Sequence, residues 1–376
     1  MEFQYYLPVN LVFGRGKADY IGEKAAAIGK RALIVTGGNS TKKSGLLDRT
    51  KKQLEENGVS FVLFDQAEPN PLTTTVYKGG ELANLEGSDF IIALGGGSSL
   101  DTGKGIAFMA LNEGDINDYI YGKKVSDKAL PLLAVPTTCG TGSEGNGFAV
   151  MTNPETLDKK SLRCSAIVPA CSIVDPQLMM TMPKGILASV GFDALCHNID
   201  AYLSTISQPL TDLMALEGVR LAAESLVSLY EDTGDLNNWD QLCLSSTLGG
   251  MVINTAGVTA LHGMEHPVSG LKDAVHGRGL AALAPHVFEA SIKGAPHKFA
   301  TLSKLLGGRD ETDFVEQIHK LIFRLDLTER LKDMGIEESD LPWLTENCLK
   351  VSAPSMANHP VVFTPEEMKE IYQKSL

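Results

Sequence analysis

The sequence predicts an α/β domain with a parallel sheet, followed by an all-α domain. In the first half of the 376 residues, short apolar segments alternate with segments of helical periodicity, which is typical of a parallel sheet covered by helices on both faces. After about Pro183, strand-like segments become scarce and apolar residues recur at helical spacing. At roughly 150 residues per domain, the length also favours two or three domains. We therefore expect a first domain over residues 1–182 and a helical domain over residues 183–376.

The individual elements follow from local patterns. Apolar segments predict strands at 32–36, 60–65, 89–94 and 131–136, and helical periodicity predicts helices at 46–57, 73–85 and about 99–111. In the second half, helices are predicted at 191–202, 210–230, 241–264 and 313–325. The segment 241–264 contains no Asp, Glu, Lys or Arg, but polar residues and glycines interrupt it. We interpret it as a buried helix rather than a membrane span.

Charge and cysteine content limit the classes of partner. Acidic residues outnumber Lys and Arg by 46 to 33, and the net charge of −13 argues against binding to nucleic acid or to an anionic membrane. The six cysteines have irregular spacing and no CxxC, so neither a disulfide framework nor a thiolate zinc site is predicted. The N-terminal segment lacks the pattern of a signal peptide. We expect a cytoplasmic protein that acts on a small molecule.

A glycine-rich turn after the predicted strand at 89–94 is the first candidate binding site. Its sequence, GGGSSLDTGK over residues 95–104, places glycines between a strand and a helix start, where backbone N–H groups and the helix dipole attract an anion. The spacing fits neither a Walker A loop nor GxGxxG. A plain tight turn with Ser98 or Ser99 as the helix cap is the alternative.

A second loop rich in hydroxyl groups and glycine follows the predicted strand at 131–136. Its sequence, PTTCGTGSEG over residues 136–145, suits contacts with phosphate, ribose or nicotinamide at the carboxyl end of a parallel sheet. Ser143 lacks the glycine two residues earlier that a hydrolase nucleophile elbow requires. A solvated loop is the alternative, but two such loops on one sheet favour a nucleotide site.

Histidines cluster in the second half of the chain. Four of the eight, at positions 262, 266, 276 and 286, lie within 25 residues. Asp193 and His197 are four residues apart in a helical segment, so both side chains project from one face, and His262 and His266 repeat this spacing. One buried histidine is more often a packing residue than a ligand. An aspartate with several imidazoles, including His276, is instead a mixed set suited to Fe²⁺ or Zn²⁺.

A nucleotide site in one domain and a divalent metal in the other predict dehydrogenase chemistry in the cleft between them. The metal would polarise an alcohol or aldehyde oxygen, while a nicotinamide cofactor accepts or donates a hydride. No protein nucleophile is needed. We predict His266 and His276 as catalytic residues, with His266 positioning the substrate or relaying a proton if it is not a ligand.

The chain resembles the iron-containing, metal-dependent alcohol dehydrogenases over essentially its whole length. The matching segments are GGGSSLDTGK, PTTCGTGSE, Asp175-Pro176, GFDALCHNIDAY at 191–202, and the spacing H-x3-H-x9-H-G from His262. The resemblance implies a Rossmann-like nucleotide-binding domain and a helical metal-binding domain, as in the dehydroquinate synthase architecture. It also implies that His266 lies beside the metal without binding it. The metal ligands it implies are Asp193, His197, His262 and His276.

The predicted cofactor contacts come from the two loops, the turn after the first strand and the resemblance. They are Gly37, Gly38, Ser40, Asn70, Gly96, Gly97, Ser98, Asp101, Thr137, Thr138 and Lys160. The stretch from Lys160 to Pro169 is about one residue shorter than the family pattern. Asp200 stands where the family often has Glu, at a position that is not a ligand.

The choice of cofactor is predicted from the turn at 37–40. This turn has no acidic residue of the kind that binds the ribose 2′-hydroxyl in members that prefer NAD, and Lys42 and Lys43 lie nearby. The pattern is similar to that of NADP-type butanol dehydrogenases and related aldehyde reductases. We therefore expect NADP(H) rather than NAD(H), with Fe²⁺ as the metal and Zn²⁺ as the alternative.

Two other functions stay open from the sequence alone. One is a glycerol-dehydrogenase-like oxidoreductase or a dehydroquinate-synthase-like lyase with a different metal shell, and the other is a non-catalytic sensor of a nucleotide or metal. The identity of the alcohol or aldehyde and the physiological direction are also open. The segment 3–13 is a candidate edge strand for pairing with a second copy, so a homodimer or higher homo-oligomer is expected.

Overall fold

The computed structural model describes residues 2–376. The chain forms two compact units. The first comprises residues 6–138 and 142–181 and contains the strands, and the second comprises residues 2–5, 139–141 and 182–376 and is helical. We call them the α/β unit and the helical unit.

The α/β unit is built on a six-stranded sheet in the order β1-β8-β5-β4-β2-β3, in which every neighbouring pair is parallel. A further pair, β6 and β7, is antiparallel. The strands are β1 (Leu11–Phe13), β2 (Arg31–Gly37), β3 (Ser60–Ala67), β4 (Phe90–Gly95), β5 (Leu132–Pro136), β6 (Phe148–Thr152), β7 (Lys159–Arg163) and β8 (Cys171–Val174). The predicted parallel sheet is therefore confirmed.

Helices cover both faces of this sheet. They are α1 (Ile21–Ile28), α2 (Ser40–Lys43), α3 (Leu46–Glu56), α4 (Thr73–Leu85), α5 (Gly97–Met109) and α6 (Ile116–Ile120). Side chains of β4 alternate between the two faces: Ile91 and Ala93 belong to one apolar core, and Ile92 and Leu94 belong to the other. This two-sided burial explains why the central strands are apolar at every position rather than at alternate ones.

Helix α5 packs against the central strands at close range. A Cβ atom added at Gly103 would lie 2.7 Å from Cβ of Ala93 on β4, and one at Gly105 would lie 2.8 Å from the Val76 side chain on α4. A larger residue at Gly103 would push the helix away from the sheet, and one at Gly105 would push it away from α4. The glycines in this segment therefore fix where the helix, and with it the preceding turn, is held.

The helical unit contains ten helices within the described residues. They are α7 (Lys184–Leu203), α8 (Pro209–Glu231), α9 (Leu236–Ala256), α10 (Ala260–Lys272), α11 (His276–Ser291), α12 (Pro296–Leu305), α13 (Phe314–Arg324), α14 (Leu341–Val351), α15 (Ala353–Ala357) and α16 (Pro365–Ser375). Helix α7 packs against α8, α9 and α11, which accounts for its burial on all sides. The predicted change from alternating strands and helices to helices alone is confirmed.

The predicted helix at 241–264 is wrong in one respect, because the structure divides this segment between α9 and α10. The two helices meet at an angle of 103°. Gly257, which ends α9, has a φ of 67°, and this left-handed conformation stops the helix at low cost only for glycine. The backbone N–H of Thr259 then donates to the Asp200 carboxylate instead of continuing the helix. The break places His262 on a separate helix.

No single helix among residues 2–376 is both long and apolar enough to cross a membrane. Only α9 and α10 together pass that test, by length and composition, as a strongly bent pair.

Candidate metal centre and nucleotide-binding loops

Helix α7 carries the first two candidate metal ligands on one face. Asp193 and His197 are one turn apart, and Asp200 follows almost one turn later, so all three project to the same side. All three side chains are buried. Because a charged side chain is costly to bury without a partner, each of them needs an interaction within the helical unit.

Helices α10 and α11 bring two more imidazoles to this face of α7. His262 lies in the first turn of α10, and His276 is the first residue of α11. Nε2 of His262 lies 3.4 Å from Oδ1 of Asp193, and Nε2 of His276 lies 3.7 Å from the same oxygen. The donor atoms of Asp193, His262 and His276 are all within 4.8 Å of one another.

The fourth predicted ligand, His197, lies beside this group but is held differently. Its ring stacks on that of His262 with 4.4 Å between centroids, and its Nδ1 lies 3.5 Å from Oδ1 of Asp193. Among the described residues, this buried Nδ1 has no hydrogen-bond partner. An imidazole nitrogen left unpaired in the interior is costly unless something binds it. The donor set therefore fits a divalent cation at Asp193.

The carboxylates and imidazoles of the cluster strongly shift one another's pKa values. Burial opposes ionisation of Asp193, but His197, His262 and His276 outweigh it and hold the pKa of this carboxyl well below its usual range. Burial likewise opposes the charged form of His262, yet its hydrogen bonds with Asp193 and Asp200 raise its pKa to about 9. For His197 burial dominates and lowers the pKa to about 4, so this ring is neutral at pH 7. A neutral imidazole is the form that binds a metal.

Two of the three imidazoles form hydrogen bonds with buried carboxylates. Oδ2 of Asp200 accepts a hydrogen bond from Nδ1 of His262 at 2.8 Å, and Oε2 of Glu265 accepts one from Nδ1 of His276. The sequence predicts Asp200 only as a non-ligand, and Glu265 is not among the predicted site residues. A signal existed for Glu265, since it lies three residues after His262 and hence on the same side of the helix.

Pro267 interrupts the hydrogen bonding of α10 next to these residues. A proline has no N–H, so the Gly263 carbonyl four residues earlier loses its usual helical donor. The Cys348 thiol from α14 donates to that carbonyl at 3.2 Å. The Tyr372 hydroxyl from α16 donates to the Met264 carbonyl at 2.7 Å. Helices late in the chain thus support the helix that carries His262 and Glu265.

His266, the predicted catalytic residue that is not a ligand, lies on the neighbouring turn of α10. Its ring centroid is 5.9 Å from that of His276, and the residue is half-buried. It is not a member of the group of close donor atoms formed by Asp193, His262 and His276. The structure therefore brings His266 beside the candidate ligands but not among them.

In the α/β unit, the predicted cofactor loops follow three adjacent strands. Gly37 ends β2 and is followed by Gly38 and Ser40. The turn with Gly96, Gly97 and Ser98 follows β4, and Thr137 and Thr138 follow β5. Because these strands are parallel neighbours, their carboxyl ends lie at the same edge of the sheet. The loops also touch: the Thr137 N–H donates to the Gly95 carbonyl at 2.9 Å.

Glycine is required at this edge for steric reasons. Gly95 has a φ of 148°, and a Cβ there would lie 2.5 Å from Oγ of Ser99. A Cβ at Gly96 would lie 3.2 Å from the Thr138 side chain. The backbone of the turn is therefore open on the side where α5 begins, and the first N–H groups of that helix have no partner within the helix itself. This arrangement suits a phosphate group.

Asp101 has a different environment from the other predicted cofactor residues. Its carboxylate accepts hydrogen bonds from the Ser143 hydroxyl at 2.6 Å and from the Val150 N–H at 2.9 Å. Lys104, one turn later and fully buried, donates to the Ser143 carbonyl and hydroxyl and to Asn146. Burial lowers the pKa of Lys104 to about 8, although Asp101 favours its charged form. Asp101 thus connects α5 to the second loop.

The two lysines at the start of β7 have different neighbours. Nζ of Lys159 donates to Oδ1 of Asn70 at 2.9 Å. The Lys160 ammonium lies over the ring of Tyr121, 5.6 Å from its centroid. Neighbouring residues of a strand project to opposite faces, so the two side chains leave β7 in different directions. The contact with Asn70, itself a predicted cofactor residue, makes Lys159 a second candidate beside the predicted Lys160.

The lysines expected near the ribose of the cofactor are not equivalent. Lys42 on α2 forms an ion pair of 2.5 Å with Asp65 on the neighbouring strand β3. This pairing lowers the pKa of the Asp65 carboxyl, chiefly through the hydrogen bond from Lys42. Lys43 is exposed on the same short helix.

Comparison with known proteins gives one consistent family. Residues 8–176 match the family model described as "Iron-containing alcohol dehydrogenase", and residues 187–376 match that described as "Fe-containing alcohol dehydrogenase family, C-terminal". The chain is 34% identical over 383 residues to a 1,3-propanediol dehydrogenase of Citrobacter freundii, covering 99% of this chain and 98% of that protein. The crystal structure of an archaeal halo-thermophilic alcohol dehydrogenase from a Red Sea brine pool superposes with a TM-score of 0.96 at 32% identity, covering 100% and 99% of the two chains.

Relatives differ in the cofactor that their names state. An NAD-dependent methanol dehydrogenase of Bacillus methanolicus is 30% identical over 99% of each chain. An NADPH-dependent butanol dehydrogenase of Clostridium saccharobutylicum is also 30% identical, over 98% of this chain and 97% of its own. Two relatives of equal similarity thus differ in cofactor, and the cofactor preference of this chain depends on its own residues around the ribose.

Proposed function

This chain belongs to the iron-containing alcohol dehydrogenase family, and from that premise we propose which of its residues hold the metal and the cofactor. The family is one of alcohol and aldehyde oxidoreductases, so the reaction is the interconversion of a small alcohol and its carbonyl compound. Family membership over both halves of the chain favours this reaction over the lyase and sensor alternatives.

We assign the metal to Asp193, His197, His262 and His276. The observation that carries this assignment is the convergence of three ligand atoms, one carboxylate oxygen and two imidazole nitrogens, within 4.8 Å of one another. Nδ1 of His197 is buried and has no hydrogen-bond partner among the described residues, which supports including His197 as the fourth ligand. One carboxylate with three imidazoles suits Fe²⁺ and also Zn²⁺. Bound metal would supply a Lewis acid for the alcohol or aldehyde oxygen, and bound nicotinamide would supply or accept the hydride.

The chain's own residues then have separate tasks. Asp193 provides the negative charge that neutralises part of the cation, and the imidazoles complete its shell. His266, beside His276 and half-buried, is the group that would exchange a proton with the substrate oxygen or hold the substrate in place. In this assignment His276 acts as a ligand rather than as an acid or base. Its Nδ1 is hydrogen-bonded to Glu265, and its other ring nitrogen is taken up by the metal.

We assign the dinucleotide to the edge of the sheet where β2, β4 and β5 end. The start of α5, with Gly96, Gly97 and Ser98, would bind the phosphates through backbone N–H groups. Thr137 and Thr138 offer hydroxyl groups beside this turn, and Asn70 with Lys159 offers an amide and an ammonium. We assign Asp101 to ordering the loops, because its two oxygens accept hydrogen bonds from the Ser143 hydroxyl and the Val150 N–H.

We propose that NADP(H) is preferred over NAD(H). The turn at 37–40 has no acidic side chain to repel a 2′-phosphate, and Lys43 supplies a cation whose charge is not paired with Asp65. Lys42 contributes less to this preference than the sequence suggested, because its ion pair with Asp65 already offsets its charge.

We also infer a homodimer or higher homo-oligomer. Strand β1 lies at one edge of the sheet, and Phe3 and Tyr6 just before it are 47% and 68% exposed. An exposed edge with aromatic side chains is a common site of association. We also propose a cytoplasmic location, on the irregular spacing of the six cysteines in the sequence.

The proposed function is tested by assaying NADPH oxidation with a panel of short aldehydes, including butyraldehyde. Protein purified without oxygen is assayed as isolated, after removal of metal with a chelator, and after addition of Fe²⁺ or Zn²⁺. We expect activity to disappear with the metal and to return with one of the two ions. Full turnover in protein free of metal would contradict the assignment.

A further inference from the structure

We propose that Asp200 and Glu265 are positioning residues that set the affinity of the metal centre. Each holds one imidazole, His262 or His276, with Nε2 directed toward Asp193, and its negative charge makes that imidazole a stronger ligand. The inference rests on the proposed metal assignment and extends it to two residues that would not contact the metal. Both carboxylates are fully buried, and neither is needed to fill a ligand position.

Asp200 holds His262 through a fully satisfied set of hydrogen bonds. Its Oδ2 accepts from Nδ1 of His262 at 2.8 Å and from the N–H of Thr259 at 2.9 Å. Its Oδ1 accepts from the hydroxyl of Thr259 at 2.7 Å. A metal binds the neutral form of the ring, and since an ionised carboxylate only accepts hydrogen bonds, the proton of that form lies on Nδ1. Nε2 is thereby left with its lone pair for a metal.

Glu265 holds His276 in the same way. Its Oε2 accepts from Nδ1 of His276, and its Oε1 accepts from the Ser269 hydroxyl one turn along α10. The space for this carboxylate is provided by Gly279, where an added Cβ would lie 2.7 Å from Oε1 of Glu265. Two independent helices thus supply one imidazole each with the same kind of partner.

The contrast with His197 argues that these contacts have a purpose beyond filling space. Its Nδ1 lies 3.5 Å from Oδ1 of Asp193 but has no hydrogen-bond partner within residues 2–376, and its ring is oriented by stacking on His262 rather than by a hydrogen bond to a carboxylate. The two rings with carboxylate partners are also those whose Nε2 atoms belong to the close group with Asp193. A carboxylate that hydrogen-bonds a ligating histidine typically changes metal affinity 10- to 100-fold when it is removed.

The chain offers substitutions that remove each charge and keep the hydrogen bonds. In Asp200→Asn, the amide oxygen can still accept from His262 and Thr259 N–H, while the amide NH₂ donates to the Thr259 hydroxyl, which can act as acceptor. In Glu265→Gln, the amide oxygen accepts from His276. Its NH₂ then donates to Ser269, whose own proton is directed to the Ala274 carbonyl at 3.2 Å. Both variants are therefore expected to fold.

The experiment measures the dissociation constant of Zn²⁺ by competition with a chromogenic chelator, using full-length protein freed of metal. Asp313→Asn is the matched control, because Asp313 is a hydrogen-bonded carboxylate of the same helical unit whose partner is Arg309. We expect Asp200→Asn and Glu265→Gln each to weaken Zn²⁺ binding about 10- to 100-fold, and the control to stay within about twofold. Thermal melts without metal report folding, and the visible spectrum of the Co²⁺ form reports ligand geometry.

If an isosteric variant does not fold, Thr259→Val and Ser269→Ala test the orientation of the carboxylates instead. They keep both negative charges but remove the hydroxyl that donates a hydrogen bond to one oxygen of each carboxylate. A several-fold loss of Zn²⁺ affinity is expected for these variants. Folded variants of Asp200 and Glu265 that bind Zn²⁺ as tightly as the wild type would overturn the inference alone. A wild-type protein with no affinity for Zn²⁺ or Fe²⁺ would instead overturn the metal assignment on which it rests.

Discussion

Nε2 of His262 lies 3.4 Å from Oδ1 of Asp193, although the two residues are separated by 69 positions and their side chains are only 2% and 5% exposed. Such a contact exists because α9 ends at Gly257 and α10 starts again in a new direction. The centre therefore depends on a backbone break as much as on its ligands.

Lys159 and Lys160 should differ in their effect on cofactor binding. Lys159→Ala removes the ammonium that contacts Asn70, and we expect the KM for the nicotinamide cofactor to rise about tenfold, as for the loss of one hydrogen bond to a charged group. Lys160→Ala is the matched control and should change it less than about twofold. Steady-state kinetics at saturating aldehyde measure both values. The reverse order would return the assignment to Lys160.

The buried pair of Asp101 and Lys104 should be important for stability. Lys104→Met leaves the Asp101 carboxylate buried without its cation, so we expect the free energy of unfolding to fall by roughly 3–5 kcal/mol. The double variant with Asp101→Asn should lose less than the sum of the single variants, because they remove one shared interaction. Urea denaturation measures these values. Strict additivity would show that the two side chains act independently.

Cofactor preference should depend on Lys43. We expect a higher kcat/KM with NADPH than with NADH, and we expect Lys43→Ala to reduce that ratio several-fold by removing a cation near the 2′-phosphate. Lys42→Ala should have a smaller effect because its charge is paired with Asp65. A clear preference of the wild type for NADH would contradict the proposal.

His359 should make the helical unit sensitive to acid. Its ring is buried, with Nε2 bonded to the Ser291 hydroxyl at 2.6 Å, and burial lowers its pKa to about 4. Between about pH 6.5 and 4, the His359 ring is protonated in the unfolded chain but neutral in the folded chain. The contribution of this ring to the free energy of unfolding is therefore fully present above about pH 6.5 and is lost as the pH falls toward 4. Between pH 7 and 5 the loss is about 2 kcal/mol from this group.

The measurement for His359 compares the wild type with His359→Gln in chelator-treated protein. The variant is expected to be less stable at pH 7 but to lose about 2 kcal/mol less between pH 7 and 5. Equal slopes for the two proteins would show that His359 does not contribute.

Much of the fold could be predicted from the sequence because its signals are local. Strand β4 is apolar at every position and runs directly into three glycines, so both the strand and the turn are evident. The spacing of Asp193 and His197 on one helix face is equally local. The family resemblance predicted from these motifs is confirmed.

What sequence reasoning missed depends on contacts between distant residues. Gly257 has a helical neighbourhood on both sides, and only its left-handed backbone shows that the helix ends there. The role of Glu265 depends on His276, which lies beyond the end of α10. The antiparallel pair β6 and β7, which carries Lys159 and Lys160, was also not predicted. The spacing of Glu265 from His262 was the one local signal among these features.

We propose that Asp193, His197, His262 and His276 hold the catalytic metal, and measuring the metal content of single variants tests this assignment. Wild type, His262→Ala and His276→Ala are purified without oxygen, and their iron and zinc contents per chain are measured alongside aldehyde reduction. We expect about one metal ion per wild-type chain, with metal and activity lost together in both variants. Variants that keep the wild-type activity without bound metal would contradict it.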